Sequence, residues 1–179
     1  ILGTAQFGAN YGITNKSKKK ISKKEKNKIL SFCKDIGLNH LDSAEGYNFK
    51  FSPKKKQFWK IDTKISTNEK FILKKKYKNF FLDTIYIRDP ENIFSKNGRI
   101  TYDYLAKQKK LKKIKKIGIS VYEIKNLKKI IKYYKIDVVQ LPYNILDRRF
   151  EKIFNYLKKN NIKIYARSIF LQGLLVTDK

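Results

Sequence analysis

Seven short apolar runs alternate with lysine-rich, helix-patterned stretches, and this alternation restricts the fold more than any other feature of the chain. The runs are Ile1–Phe7, Asn39–Ala44, Trp59–Lys64, Thr84–Arg88, Ile117–Val121, Asp137–Pro142 and Ile162–Ser168. Between them, Ile124, Leu127, Ile130, Ile131 and Tyr134 recur at helical spacing, as do Phe150, Ile153, Phe154 and Leu157. Ser22-Lys23-Lys24-Glu25 has the form of a capping box, with Ile29, Leu30, Cys33 and Ile36 following on one face. Gly37 then supplies the left-handed residue that ends the helix. Strands alternating with helices of about 10–15 residues imply parallel strands joined by crossovers. Seven such units are many for one open sheet and suit a (β/α) barrel. A complete eight-unit barrel takes about 250 residues, whereas the 179 residues here accommodate seven strands and no eighth. The expectation is therefore an α/β fold, an incomplete (β/α)8 TIM barrel. Residues 1–179 would form one partial barrel domain of a longer protein, without the eighth strand and the C-terminal loop.

Lys and Arg number 43 against 15 Asp and Glu, a net charge of +28. Such an excess points first to polyanions, because cationic side chains neutralise phosphates and release counterions. The composition points elsewhere. Arg, which makes the bidentate contacts to bases and phosphates, occurs only five times, while Lys occurs 38, Ile 24 and Asn 14 times. These three have AT-rich codons, and the lysines are spread over every segment. A solvated surface set by codon bias is the preferred reading, with polyanion binding as the lesser alternative and nucleic acid not expected as a partner. The single cysteine, Cys33, excludes a disulfide framework or a multi-thiolate zinc cluster, and no metal site is expected. No apolar run reaches the roughly 18–20 residues of a membrane span. The first residues lack the pattern of a secretory signal, so a cytoplasmic setting without membrane contact is expected.

In a (β/α) barrel the chemistry lies at the C-terminal ends of the strands. The polar residues there are Asp42 and Tyr47, Lys64, Arg88, Ser120, Gln140 and Asn144, and Arg167 with Ser168. If strands two and three are neighbours, Asp42, Lys64 and Tyr47 meet at the mouth. An ammonium beside a phenol favours the phenolate and makes the phenol a better proton donor, which suits protonation of an alkoxide as hydride arrives at a carbonyl. Asp42 would orient Lys64 and keep it charged.

Several tracts occur in order: Leu2-Gly3-Thr4-Ala5-Gln6-Phe7-Gly8, Leu41-Asp42-Ser43-Ala44 with Tyr47, Thr63-Lys64, Ile117-Gly118-Ile119-Ser120, Val139-Gln140 and Leu171-Gln172-Gly173. Together they resemble the aldo-keto reductase family of NAD(P)H-dependent barrel oxidoreductases that interconvert carbonyls and alcohols. The tracts 141–149 and 166–173 look like a bacterial branch often linked to surface-sugar pathways. The resemblance implies Asp42, Tyr47 and Lys64 as catalytic residues, with a small carbonyl compound, an aldehyde or ketone related to sugars, as substrate. It implies NADP as cofactor, with NAD as the alternative. Ser120 and Gln140 match residues holding the nicotinamide carboxamide, and Gly3 and Thr4 match the loop beside the cofactor, with Asp42 close to it. Ser168, Phe170 and Gln172 lie in the stretch passing the pyrophosphate. Arg167 stands where an aromatic commonly stacks on the nicotinamide, and its planar guanidinium would stack there instead.

Three departures accompany the resemblance. Arg88 stands where the family has its fourth catalytic residue, a His, and would serve as the electrophilic partner. Val121 follows Ser120 where the wider family often has Asn. The segment between Tyr47 and Lys64 is several residues short, so an irregular second helix is expected there. The Arg88 substitution motivates a second functional reading, a catalytically impaired barrel that binds cofactor as a sensor or partner subunit. Other residues have structural readings. His40, two residues before Asp42, is expected as a hydrogen-bonded core histidine, Cys33 as an inert buried thiol, Trp59 as packing and Glu45 as a solvated loop residue. Lys107–Lys116 would be the exposed face of a helix running into strand five. For Arg88 itself, a surface cation and an active-site group both remain open.

Overall fold

The computed structural model describes residues 1–15, 20–44, 46–47, 58–67 and 81–177. The irregular second helix expected after Tyr47, and Glu45, fall outside the described residues. The chain runs β1 (Leu2–Gly3), α1 (Ala5–Gly8), α2 (Lys23–Asp35), β2 (His40–Asp42), β3 (Lys60–Ile65) and β4 (Phe81–Ile87). A 3-10 segment (Pro90–Phe94) leads into α3 (Lys96–Lys110), followed by β5 (Ile114–Ser120), α4 (Leu127–Tyr133), β6 (Val138–Pro142), α5 (Glu151–Lys159), β7 (Lys163–Arg167) and a second 3-10 segment (Leu171–Val176). The seven strands form one sheet in the order β1 to β7. Every pairing is parallel. This curled α/β sheet is the expected incomplete TIM barrel. No helix among the described residues is long and apolar enough to cross a membrane.

Strand alternation divides the side chains into two sets. One set faces the helices: Ile61, Ile85, Ile87, Ile117, Ile119, Val139 and Leu141 pack with Leu105, Leu127, Ile130, Phe150, Ile153 and Leu157 in a single apolar cluster. The other set faces the barrel axis, and much of it is polar. A smaller cluster of Cys33, Leu41 and Trp59 anchors α2, as expected for that thiol and that indole.

The helix ends follow their local chemistry. The Ser22 side chain accepts from the Glu25 N–H at 3.1 Å, and Gly37 adopts φ +72° at the other end of α2. There its N–H donates to Lys34 O, while Leu38 N–H donates to Cys33 O. Several boundaries differ from expectation, two of them for local reasons. The first run is a strand only at Leu2–Gly3, because Ala5–Gly8 forms a helical turn. The stretch beginning at Ile124 becomes helical only at Leu127, because Asn126 lies in the left-handed region at φ 65°.

Candidate functional site

Adjacent strands bring Asp42 and Lys64 together. The β2–β3 register sets Asp42 beside Asp62, and Lys64, one inward position further, donates to Asp42 Oδ1 at 2.7 Å. Lys64 is buried and Asp42 half-buried, so the pair is a desolvated, mutually neutralising unit at the strand ends. Beneath it lies the ring of Tyr86, with the Lys64 ammonium 5.5 Å from its centroid. Thr4 is fully buried and donates its hydroxyl to Asp42 O at 2.9 Å, tying β1 to this corner. A Cβ built on Gly3 would meet nothing within 4 Å among the described residues, so the backbone there borders open space.

Tyr47 follows on the loop after β2, half-buried, with its N–H on Ala44 O. Burial pushes its phenol above the ordinary value, and the charges of Asp42, Tyr11 and Tyr122 push the same way, against Arg167. The net direction is opposite to the lowering expected beside an ammonium. The Lys64 ammonium is held by Asp42, and the carboxylate charge acts on the phenol in the opposite sense. The phenol is therefore a protonated, hydrogen-bond-donating group at neutral pH.

On the other side of the mouth, Ser120 Oγ donates to Gln140 Oε1 at 3.4 Å. Each residue is 4% exposed. The β5–β6 register places them directly opposite. Arg167 closes β7. Its guanidinium lies over the Tyr122 ring at 3.9 Å, and Nη2 donates to Val121 O at 3.3 Å. The carbonyl of Ser168 accepts from Asn144 Nδ2 at 3.1 Å. Ser168 and Gln172 both adopt positive φ, while Phe170 and Gln172 are exposed. A Cβ at Gly12 would lie 3.4 Å from Gln172 O, and one at Gly173 would lie 2.2 Å from Thr14 Oγ1. The segment after β7 therefore passes against the loop after β1.

Arg88 follows β4 with its N–H on Ile65 O at 2.8 Å, and it is exposed. The alternation that sends Tyr86 inward gives Arg88 the same side. The next residue, Asp89, clamps the rim. Its carboxylate accepts from Thr67 N–H, Thr67 Oγ1, Ser66 Oγ and Asn92 Nδ2. Burial raises the Asp89 pKa, but the Thr67 and Asn92 hydrogen bonds outweigh it and hold the carboxyl below its usual range.

Below the mouth lies a polar layer that the sequence reading largely missed. His40 Nε2 contacts Asp62 Oδ1 at 2.8 Å and lies 3.9 Å from Asp83 Oδ2. Asp62 also accepts from Thr84 N–H and, at 3.2 Å, from the Tyr86 hydroxyl. Lys116 pairs with Asp83 and reaches the Tyr165 hydroxyl. Burial, followed by the charges of Asp62 and Asp42, drives the Tyr86 phenol far above its ordinary value. His40 is thus the hydrogen-bonded interior histidine expected of it. Lys116 is not on the exposed helix face; it points into the barrel. Its position, four before Ser120 on the inward side, was a usable signal. Asp62 and Tyr86 likewise lie two residues before Lys64 and Arg88. Asp83 had no such signal, because a register shift between β3 and β4 alters the alternation there. His40, Asp62 and Asp83 bring three ligand-type atoms within 4.8 Å of one another. Their carboxylates already accept from Lys116, Thr84 and Tyr86.

Comparison with known proteins adds to this geometry. Residues 64–179 match the family model described as the aldo/keto reductase family. Among solved structures, the chain is similar to the aldo-keto reductase AKR11C1 from Bacillus halodurans, with TM-score 0.71 and 21% identity over 89% of this chain and 60% of that one. It is similar to the glycerol dehydrogenase AKR11B4 from Gluconobacter oxydans, with TM-score 0.68 and 18% identity over 99% of this chain and 62% of that one. A Gox0644 variant in complex with NADPH superposes with TM-score 0.63 and 17% identity over 87% of this chain and 62% of that one. The chain therefore spans less than two thirds of the length of these three. The search of curated protein sequences returns no match.

Proposed function

Since the chain belongs to the aldo/keto reductase family, we propose that it is an oxidoreductase of that type, reducing a small aldehyde or ketone with NAD(P)H. The observation that carries the reading is the buried Asp42–Lys64 pair at 2.7 Å, with the Tyr47 phenol under the charge of Asp42 at the same mouth. The residues present fit the cofactor. Ser120 and Gln140 offer a buried hydroxyl and amide side by side, chemistry that matches a carboxamide, and the open space at Gly3 lies beside the fully buried Thr4. Ser168, Phe170 and Gln172 would border its phosphates. The NADPH complex of the structurally similar Gox0644 favours NADP. When bound, the nicotinamide supplies the hydride.

The protein's own groups account for the remaining chemistry. Tyr47 gives its phenolic proton to the carbonyl oxygen as negative charge develops there. Lys64 holds positive charge near the phenolate that forms, and Asp42 fixes Lys64. Arg88, at the rim of β4, donates to the same oxygen in place of the family's His. Turnover is tested by carbonyl-dependent consumption of NADPH or NADH. The Tyr47→Phe variant should lose about 10²–10⁴-fold in rate, the range for removal of a general acid; an unchanged rate would refute the mechanism. The second reading, a cofactor-binding sensor or partner subunit, is favoured by Arg88 and the raised Tyr47 pKa. It predicts NADPH binding without turnover.

A further inference from the structure

The ends of β5, β6 and β7 carry one unbalanced charge beside the Ser120–Gln140 pair. Gln140 lies opposite Ser120 on one side and Tyr165 on the other, and Pro142 lies opposite Arg167. The Val121 backbone links the three strands. Its N–H donates to Gln140 O at 2.9 Å, and its carbonyl accepts from Arg167 Nη2 at 3.3 Å. The guanidinium is thus hydrogen-bonded to the residue that follows Ser120. It is half-buried, and its Nε is a buried nitrogen without a hydrogen-bond partner. Among the described residues the arginine ion pairs are Arg148–Glu151 and Arg149–Asp147, and Asp42 at the mouth is taken by Lys64. Arg167 therefore keeps its charge uncompensated. The Tyr122 ring, 3.9 Å from it, holds the guanidinium by a cation–π contact and removes none of that charge. The charge also reaches the Tyr47 phenol, where it opposes the effect of burial.

We propose that Arg167 sets the redox preference of the cofactor site, so that the barrel binds the reduced cofactor more tightly than the oxidised one and is loaded for carbonyl reduction. The assignment rests on the reading that Ser120 and Gln140 hold the nicotinamide carboxamide. A reduced nicotinamide ring is neutral. Giving its hydride, with the electron pair, to the carbonyl carbon leaves the ring a pyridinium cation, while the carbonyl oxygen takes the Tyr47 proton. A like charge in a partly buried site is incompletely screened and unfavourable. Stacking of the guanidinium on the ring, the arrangement the resemblance implies, brings the two charges together. A neutral aromatic side chain at this position would carry no such bias. Arg167 is then a specificity-determining residue for the cofactor's oxidation state and has no part in proton transfer.

The test measures binding rather than turnover. Calorimetry on the full chain gives the dissociation constants of NADPH and NADP+. The two carry the same phosphates, so their ratio isolates the charge of the ring, and NADH with NAD+ repeats the comparison. The reduced form should bind at least about tenfold tighter than the oxidised form. Arg167→Gln and Arg167→Tyr, both neutral, should each remove that preference. Arg167→Lys should retain most of it, and exposed Lys152→Gln should leave it intact. Circular dichroism checks that each variant is folded. Equal affinity for the two oxidation states overturns the proposal, as does a preference that survives both neutral changes or disappears in Arg167→Lys. In those cases the cofactor still binds and the reductase reading stands. If neither cofactor pair binds, the cofactor reading falls and the proposal falls with it. A preference for the reduced form without reduction of any carbonyl removes the reductase and keeps the proposal, now for a barrel that senses the reduced fraction of the cofactor.

Discussion

Tyr86 and Gly118 set the inner shape of the barrel as a pair. Tyr86 is 0% exposed, and a Cβ at Gly118 would lie 2.4 Å from its ring, so only glycine admits the ring at that height. Gly118→Ala should push Tyr86 off Asp62 and cost about 1–3 kcal/mol, the range for overpacking, measured by urea denaturation. The Asp83–Lys116 pair is the other interior element with a sharp consequence. Burial raises the Asp83 pKa, but the hydrogen bond and charge of Lys116, aided by His40 and Thr84, prevail and hold it low. Burial likewise lowers the Lys116 pKa, and the hydrogen bond and charge of Asp83 overcome this and raise it. The depressed carboxyl contributes stability that is present above its unfolded value of about 3.9 and lost as pH falls through the folded value. The raised ammonium contributes stability that is present below about 10.4 and lost as pH rises through its folded value. Asp83→Asn, which leaves Lys116 buried without its partner, should cost about 3–5 kcal/mol at neutral pH. The deficit relative to wild type should shrink in strong acid, as thermal melts across pH would show. The mouth residues Asp42, Lys64, Ser120 and Gln140 were legible because each lies within the last three residues of an apolar run. Lys116 was misread because it lies among exposed lysines, and only its alternation with Gly118 and Ser120 turns it inward.

Among the elements, the helices were the most legible. In α5 the buried Ile153 and Leu157 lie one turn apart with lysines on the opposite face. Leu157 is fully buried, so Leu157→Ala should cost about 2–5 kcal/mol by chemical denaturation. Ser22 caps α2 as its capping-box pattern indicated, and Ser22→Ala should cost about 1 kcal/mol in the same measurement. α3 shows a constraint that periodicity does not reveal: a Cβ at Gly98 would lie 2.1 Å from Asn92 O, so the helix start is pressed against the preceding 3-10 segment. Strand extents were less legible. Ile1–Phe7 reads as one apolar run, yet only two residues pair, because Thr4 bonds Asp42 O through both its N–H and its hydroxyl and the chain turns into α1. β4 starts three residues earlier than its apolar pattern suggested. Asp83 interrupts that pattern, and its partner Lys116 lies 33 residues away.

For the molecule as a whole, the net charge of +28 and the exposed apolar residues act in opposite directions. Ile145, Leu146, Phe170 and Val176 are all more than half exposed, and among the described residues β1 and β7 each pair with one neighbour in the sheet order. Unpaired edges and apolar surface favour association, while like charge opposes it. The screening length falls from about 30 Å at 0.01 M salt to about 3 Å at 1 M. Sedimentation of the chain should therefore show monomers at low ionic strength and association as salt rises; insensitivity to salt would show that charge does not control it. The sequence by itself determined the fold class, the helix faces and the strand ends that carry the candidate site, because periodicity and turn residues act within a few positions of one another. Tertiary structure alone decided which charges neutralise which. Asp42 takes Lys64, Asp83 takes Lys116, and Arg88 and Arg167 are left without a carboxylate among the described residues. The physical reason is that such pairings depend on strand register across separations of 22 residues for Asp42–Lys64 and 33 for Asp83–Lys116, and on burial, which only the packing of the sheet establishes.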